Sequence, residues 1–181
     1  NYVTVNDCAN ILLACGASPI MADDPDDAEE ITAVCAALNL NIGTLNARTI
    51  PAMERAGRRA NALGHPVLLD PVGAGAPARR NETTERLLKE VKLTVLRGNL
   101  SEISFIAGEQ SNTKGVDAGE ADADNDAVAI AKKVAKQLGC VVGITGQVDV
   151  VSDGTRVAKI ENGVKLLGKV TGTGCMTSAL V

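Results

Sequence analysis

Thr171-Gly172-Thr173-Gly174-Cys175 sets two glycines and a thiol at the start of the last helical stretch of this sequence. Glycines let backbone amides crowd together at a helix N-terminus, where unpaired N–H groups and the helix dipole attract an anion. A thiol there could take a proton from a substrate hydroxyl, or act mainly through where it stands. In isolation the five residues make an ordinary glycine-rich turn; a strand before them and a helix after them favour the anion hole. Asp70 and Glu102 are the next pair. Carboxylates suit Mg²⁺, which keeps several waters and shares phosphate oxygens. Asn99-Leu-Ser-Glu102 puts an amide and a carboxylate three residues apart, on one side of a helix's first turn. The same spacing equally makes Asn99 a helix cap with an acid at its third position. Arg97 could clamp a phosphate through two N–H donors or form a surface ion pair. Thr145-Gly146 adds a hydroxyl after another apolar run.

The elements that must position these groups alternate. Helices are expected over residues 6–15 (capped by Thr4 or Asn6, stopped by Gly16), from Asp24-Pro25 to about 38, and over 51–63 with Gly64 as the stop. More are expected over 84–91, 101–107 and 125–138. Residues 18–21 read as extended, and strands are expected near 40–42, 67–69, 93–96 and 141–144. The order predicts an α/β fold with a mostly parallel sheet built by right-handed crossovers. A late antiparallel hairpin is expected over 148–151 and 156–160, turning at Asp153-Gly154, followed by a strand at 164–167. Residues 110–126, rich in Asn, Asp, Gly and Ala, read as a surface loop. In open parallel sheets ligands sit beyond the carboxyl ends of the strands. Asp70, Arg97, Thr145 and the glycine turn all follow strands, so the inventory suits a bound metal-nucleotide.

Composition removes other classes. The chain has 181 residues, which predicts one domain. With 45% hydrophobic and 22% charged residues it is too apolar for disorder. A net charge of −4, with Tyr2 and Phe105 as the aromatic residues, supplies neither a basic patch nor stacking platforms for nucleic acid. The five cysteines, Cys8, Cys15, Cys35, Cys140 and Cys175, are odd in number and form no CxxC. They predict a reducing cytoplasm, with the thiols other than Cys175 packed as small hydrophobes. The apolar stretch 11–22 is broken by Gly16, Ser18 and Pro19, too short for a membrane span, and no basic segment marks it as a signal peptide. The glycosylation sequons at Asn81 and Asn99 are then chance matches.

Three motifs mislead. Gly163 to Lys169 imitates a P-loop, but Val170 stands where Ser or Thr is needed and the interior reads as strand. Asp122-Ala-Asp124-Asn-Asp126 imitates a calcium loop, but Ala127 and Lys133 replace the required Gly and Glu, so the acids are expected to cap the next helix. His65, the single histidine, precedes Pro66 and reads as a turn residue, which argues against a His-centred triad or a zinc site.

Asn1-Tyr-Val-Thr-Val-Asn-Asp7, Ser18-Pro-Ile-Met21-Ala22, Asp70-Pro-Val-Gly-Ala-Gly75, Arg97-Gly-Asn99-Leu-Ser-Glu102 and Gly172-Thr-Gly-Cys175 occur in this order and spacing. Together they resemble the hydroxyethylthiazole kinase family, thiamine-salvage enzymes of the ribokinase-like superfamily. Asn1-Tyr-Val-Thr, Ser18-Pro-Ile-Met21 and Cys175 are the family-specific parts; most superfamily members carry Asp where Cys175 stands. The resemblance implies a three-layer α/β/α fold and ATP-dependent phosphorylation of 4-methyl-5-(2-hydroxyethyl)thiazole with Mg²⁺. It implies that Arg97 and Thr145 contact ATP, and that Asp70 and Glu102, with Asn99 nearby, organise the metal. Met21 and Gly172 would line the thiazole pocket with Asn1 beside it. Gly172, Thr173, Gly174 and Cys175 would form the anion hole, with Cys175 near the substrate hydroxyl. A homotrimer with active sites at subunit interfaces is expected. The family carries further chain before Asn1 and after Val181, so residues 1–181 are expected to be one kinase domain lacking both ends. A kinase for a pyrimidine precursor or a sugar, and a non-catalytic nucleotide binder, are the competing functions. A dehydrogenase fits less well, because Thr177 stands where a third glycine would be.

Overall fold

Val67-Leu68-Leu69-Asp70 is buried at all four positions, which requires cover on both faces of the sheet. It is β2 of six strands whose order in space is their order in sequence. The computed structural model describes residues 1–109 and 120–181. β1 (Leu38–Asn41), β2 (Val67–Asp70), β3 (Val95–Asn99) and β4 (Val141–Thr145) are parallel. β5 (Asp149–Ser152) and β6 (Val157–Ile160) follow as the expected antiparallel hairpin. The register matters for the site: Asn41 pairs with Asp70 and Asn99 with Thr145 at the strands' carboxyl ends.

The helices begin and end for local reasons. α1 (Val5–Ala14) starts after Thr4, which makes no side-chain capping bond, and closes at Gly16 with φ 85°. Asp24 caps α2 (Pro25–Val34) by accepting from Asp26 N at 3.0 Å, with Pro25 in the first turn. α3 (Thr49–Leu63) stops at Gly64 in the left-handed region. α4 (Ala78–Glu90), α5 (Leu100–Ile106), α6 (Glu120–Leu138) and α7 (Thr173–Leu180) complete the set. Right-handed crossovers advancing strand by strand place α3, α4 and α6 on one face, while α7 packs on α1, β1 and β2. One core joins the layers through Leu40, Leu69, Leu87, Leu96, Val134 and Val142. Truncating a fully buried leucine such as Leu69 to Ala costs about 2–5 kcal/mol.

The structure corrects several expectations. α6 begins at Glu120, so the acids of the false calcium loop lie within its first turns rather than before it; the rest of the expected loop, 110–119, lies outside the described residues. α4 starts six residues earlier than 84. Residues 165–169 form a short 3-10 turn, not a strand; every residue from 155 to 171 is exposed, so no sheet face recruits the apolar run. The cysteines also divide differently. Cys140 and Cys175 are buried, Cys8 and Cys35 are half-buried and Cys15 is exposed, because α1 contributes no buried residue.

Candidate active site

The carboxyl ends of β1 and β2 bring Asn41 and Asp70 side by side, and α7 lays its first turn against them. Asp70 is 2% exposed. Its Oδ2 accepts from Asn41 Nδ2 at 3.0 Å and from Ser178 Oγ at 2.8 Å, and Arg97 Nη1 stands 3.9 Å away. Burial pushes its carboxyl up to about 6, against the opposing pull of Ser178 and Arg97 and with a further push from Glu102.

Cys175 sits in the first turn of α7, and its Sγ accepts from Asn41 Nδ2 at 3.2 Å and Asn1 Nδ2 at 3.3 Å. Asn1 is itself held, its Oδ1 accepting from Val3 N at 3.1 Å and Thr44 Oγ1 at 3.2 Å. Gly43 leaves the space it occupies, since a β-carbon there would lie 2.4 Å from Asn1 Nδ2. α7 has no side-chain cap, and its first helical bond runs from Met176 N to Gly172 O. The amides of Thr173, Gly174 and Cys175 precede that bond, which is the donor set of an anion hole.

Arg97 crosses to the same turn. Its Nη2 donates to Thr145 Oγ1 at 2.9 Å, and its Nη1 lies 2.9 Å from where a β-carbon on Gly174 would be. Its Nε is buried without a hydrogen-bond partner among the described residues. A buried N–H left unpaired beside uncapped amides fits an incoming anion better than a surface ion pair.

Glu102 and Asn99 realise the capping box. Asn99 Oδ1 accepts from Glu102 N at 2.9 Å, and Glu102 Oε2 accepts from Asn99 N at 2.8 Å. Glu102 Oε1 also takes Gly73 N at 2.8 Å, tying α5 to the loop that follows Asp70. Among the described residues no group of three or more His, Cys, Asp or Glu could hold a metal. A cation here would rely on water and phosphate oxygens, a mode that suits Mg²⁺.

Met21 is not drawn into this network and is 45% exposed. Its segment is tied down at Asp23, which accepts from Tyr2 Oη and from Arg48 Nη2, the latter at 2.9 Å. Two open surface clefts, one beside Phe105 and Leu138 and one beside Leu93 and Cys140, contain none of the candidate residues. Sequence reasoning missed Asn41 and Ser178. Asn41 belongs to a Leu-Asn-Leu-Asn run that reads as a half-exposed strand, and only the register shows that it faces Asp70.

The family model for the hydroxyethylthiazole kinase family matches residues 1–181. The chain belongs to the hydroxyethylthiazole kinase family. It is 63% identical to a hydroxyethylthiazole kinase of Ruminiclostridium cellulolyticum, over all of this chain and 67% of that protein. It is 56% identical to one from Alkaliphilus oremlandii, over 100% of this chain and 66% of that one. Among solved structures, the hydroxyethylthiazole kinase protein of Pyrococcus horikoshii OT3 superposes with a TM-score of 0.89 at 41% identity, covering 99% of this chain and 66% of that one. The adenosine kinase of Sinorhizobium meliloti shares the fold alone, at a TM-score of 0.59 and 15% identity over 86% of this chain and 44% of that one. The chain therefore spans about two thirds of the length of its hydroxyethylthiazole kinase relatives. Its mostly parallel sheet with a terminal antiparallel hairpin is ribokinase-like, as expected. No helix among its described residues is long and apolar enough to cross a membrane.

Proposed function

We propose that this member of the hydroxyethylthiazole kinase family transfers the γ-phosphoryl group of ATP to the hydroxyethyl group of 4-methyl-5-(2-hydroxyethyl)thiazole in thiamine salvage. The observation that carries the reading is the meeting of Arg97, its buried Nε unpaired, with the uncapped first turn of α7 at Gly174. In the transfer the alcohol oxygen bonds to the γ-phosphorus and gives up its proton to the Cys175 sulfur or to water, the bond to the β,γ-bridging oxygen breaks, and ADP leaves. Charge spreads over the equatorial oxygens, so positioning and electrostatics supply most of the catalysis. Gly172, Thr173, Gly174 and Cys175 cradle the transferring group. Arg97 and Thr145 hold ATP, and Cys175 stands beside the alcohol. Gly172, Asn1 and Met21 bound the thiazole pocket. Asp70 and Glu102, with Asn99 nearby, would hold Mg²⁺, and the ion would supply neutralisation of phosphate charge.

A cytoplasmic homotrimer with active sites at subunit interfaces accompanies this reading, as does a single kinase domain over 1–181. The exposure of Met21 is consistent with a pocket completed by a neighbouring copy. The test is ATP consumption by the full-length protein with Mg²⁺ and hydroxyethylthiazole, beside a hydroxymethylpyrimidine and ribose. Turnover selective for the thiazole supports the proposal. ATP binding with no turnover of any alcohol overturns it in favour of a nucleotide binder.

A further inference from the structure

We infer that Asn41 is a positioning residue that sets the sulfur of Cys175 against the carboxylate of Asp70, an inference that rests on the kinase reading above. Asn41 ends β1 directly opposite Asp70 in the sheet register. An asparagine amide has one accepting oxygen and two donated hydrogens. Here the oxygen accepts from Gly43 N at 2.8 Å, and the NH₂ group reaches Asp70 Oδ2 at 3.0 Å and Cys175 Sγ at 3.2 Å. Gly43 N–H needs an acceptor and the Asp70 carboxylate needs a donor, and the sulfur can accept the remaining N–H. Only one of the two amide orientations satisfies all three partners, so the network itself fixes which end is nitrogen.

The bond to Cys175 spans 134 residues and the bond to Asp70 spans 29. One NH₂ group thus joins the strand that carries the candidate metal carboxylate to the helix that carries the anion hole. Ser178 makes a second tether from α7 to Asp70 at 2.8 Å, so α7 stays docked when Asn41 is shortened. What Asn41 adds is the lateral setting of the sulfur, where a displacement of about 1 Å costs about 100-fold in rate.

The experiment uses the full-length protein and the variants Asn41→Ala, Asn41→Asp, Cys175→Ala and Asn41→Ala/Cys175→Ala. Asn41→Ala is expected to lower kcat about 10- to 100-fold while both KM values stay within about threefold. Asn41→Asp keeps the acceptor for Gly43 but has no donor for the sulfur and sets a second carboxylate against Asp70, so its kcat falls at least as far. Because Asn41 acts through Cys175, the double variant is expected to be no slower than Cys175→Ala alone. An independent readout is iodoacetamide labelling followed by mass spectrometry, with exposed Cys15 as the internal reference. Asn41→Ala is expected to change the Cys175 labelling rate at least about fivefold and leave Cys15 unchanged. Multiplicative losses in the double variant, a kcat within twofold of the parent, or unchanged Cys175 labelling would each overturn the inference. If the parent protein phosphorylates no alcohol, the kinase reading fails by itself, and the labelling comparison alone decides the role of Asn41.

Discussion

Thr4 fills the space that Gly172 leaves empty: a β-carbon on the glycine would lie 2.3 Å from Thr4 Cγ2. Thr4 is 2% exposed and Gly172 has φ 79°. The start of α1 therefore supports the anion-hole turn directly. Gly172→Ala meets two penalties, a left-handed backbone that disfavours a β-carbon and a steric overlap that forces α1 or α7 to move. It is expected to lose about 2–4 kcal/mol of stability and about 100-fold in kcat. Adding Thr4→Ser, which removes the methyl, is expected to restore part of the Tm. Thermal melts of the single and double variants check this; a single variant that melts with the parent would refute the packing argument.

Arg97→Lys keeps the charge and loses the fork. A lysine reaches one partner at a time, whereas Arg97 serves Thr145 and crowds Gly174 at once. The expected result is a KM for ATP raised about 10- to 100-fold, with the Tm nearly unchanged. Initial rates over an ATP titration measure it. A KM for ATP equal to the parent's means that Arg97 does not touch the nucleotide.

Glu102→Gln separates a cap from a metal helper. Glu102 accepts from Asn99 N and Gly73 N through separate oxygens, so the glutamine keeps an acceptor for one of the two amides and turns its NH₂ toward the other. A purely structural cap predicts a loss of about 1 kcal/mol in stability and near-parental kcat. The proposed role with Mg²⁺ predicts at least about a 100-fold fall in kcat, with activity rising again as Mg²⁺ is raised. Asn99→Asp, an equally good cap, serves as the stability control.

Asp153, in the β5–β6 turn, carries an acid-sensitive contribution. It accepts from Thr155 N at 2.9 Å and from Arg156 N and Nε, each at 2.7 Å. These bonds lower its carboxyl to about 2, from a usual 3.8. A lowered folded-state value stabilises the fold above the ordinary carboxylate range, and that stabilisation is lost as pH falls through about 2. The Tm gap between the parent and Asp153→Asn is expected to be full at pH 6 and to close between about pH 4 and pH 2. A gap that stays constant over that range would assign the effect to packing.

The ends of β2 and β4 were legible because their apolar runs finish in Asp70 and Thr145, whereas β3 continues past its apolar run through Arg97 to Asn99, three residues beyond the expected end. The helix starts at Asp24-Pro25 and Asn99 were legible for the same local reason, a capping oxygen followed by free amides. Glu102 supported two readings in sequence, and the structure shows the capping one while the metal role remains part of the proposal. Asn41 was not legible. Its meaning comes from register against a strand 29 residues away and a helix 134 residues away, and no local pattern encodes either. Cys15 misled in the other direction, because a thiol's type predicts burial while α1 offers it no inner face. The apolar Leu166 and Leu167 misled likewise, since a strand needs a partner and residues 155–171 lie exposed.

The sheet is assembled in sequence order, so Asp70, Arg97 and Thr145 come together through strands that are neighbours in the chain. Cys175 and Ser178 instead return across the molecule, closing loops of 134 and 108 residues onto β1 and β2. Loop closure over such distances is entropically costly until the docking surface exists, and that surface is the finished edge formed by Asn41 and Asp70. The anion-hole turn is therefore the most non-local part of the candidate site, and its seating is expected to follow the pairing of β1 with β2.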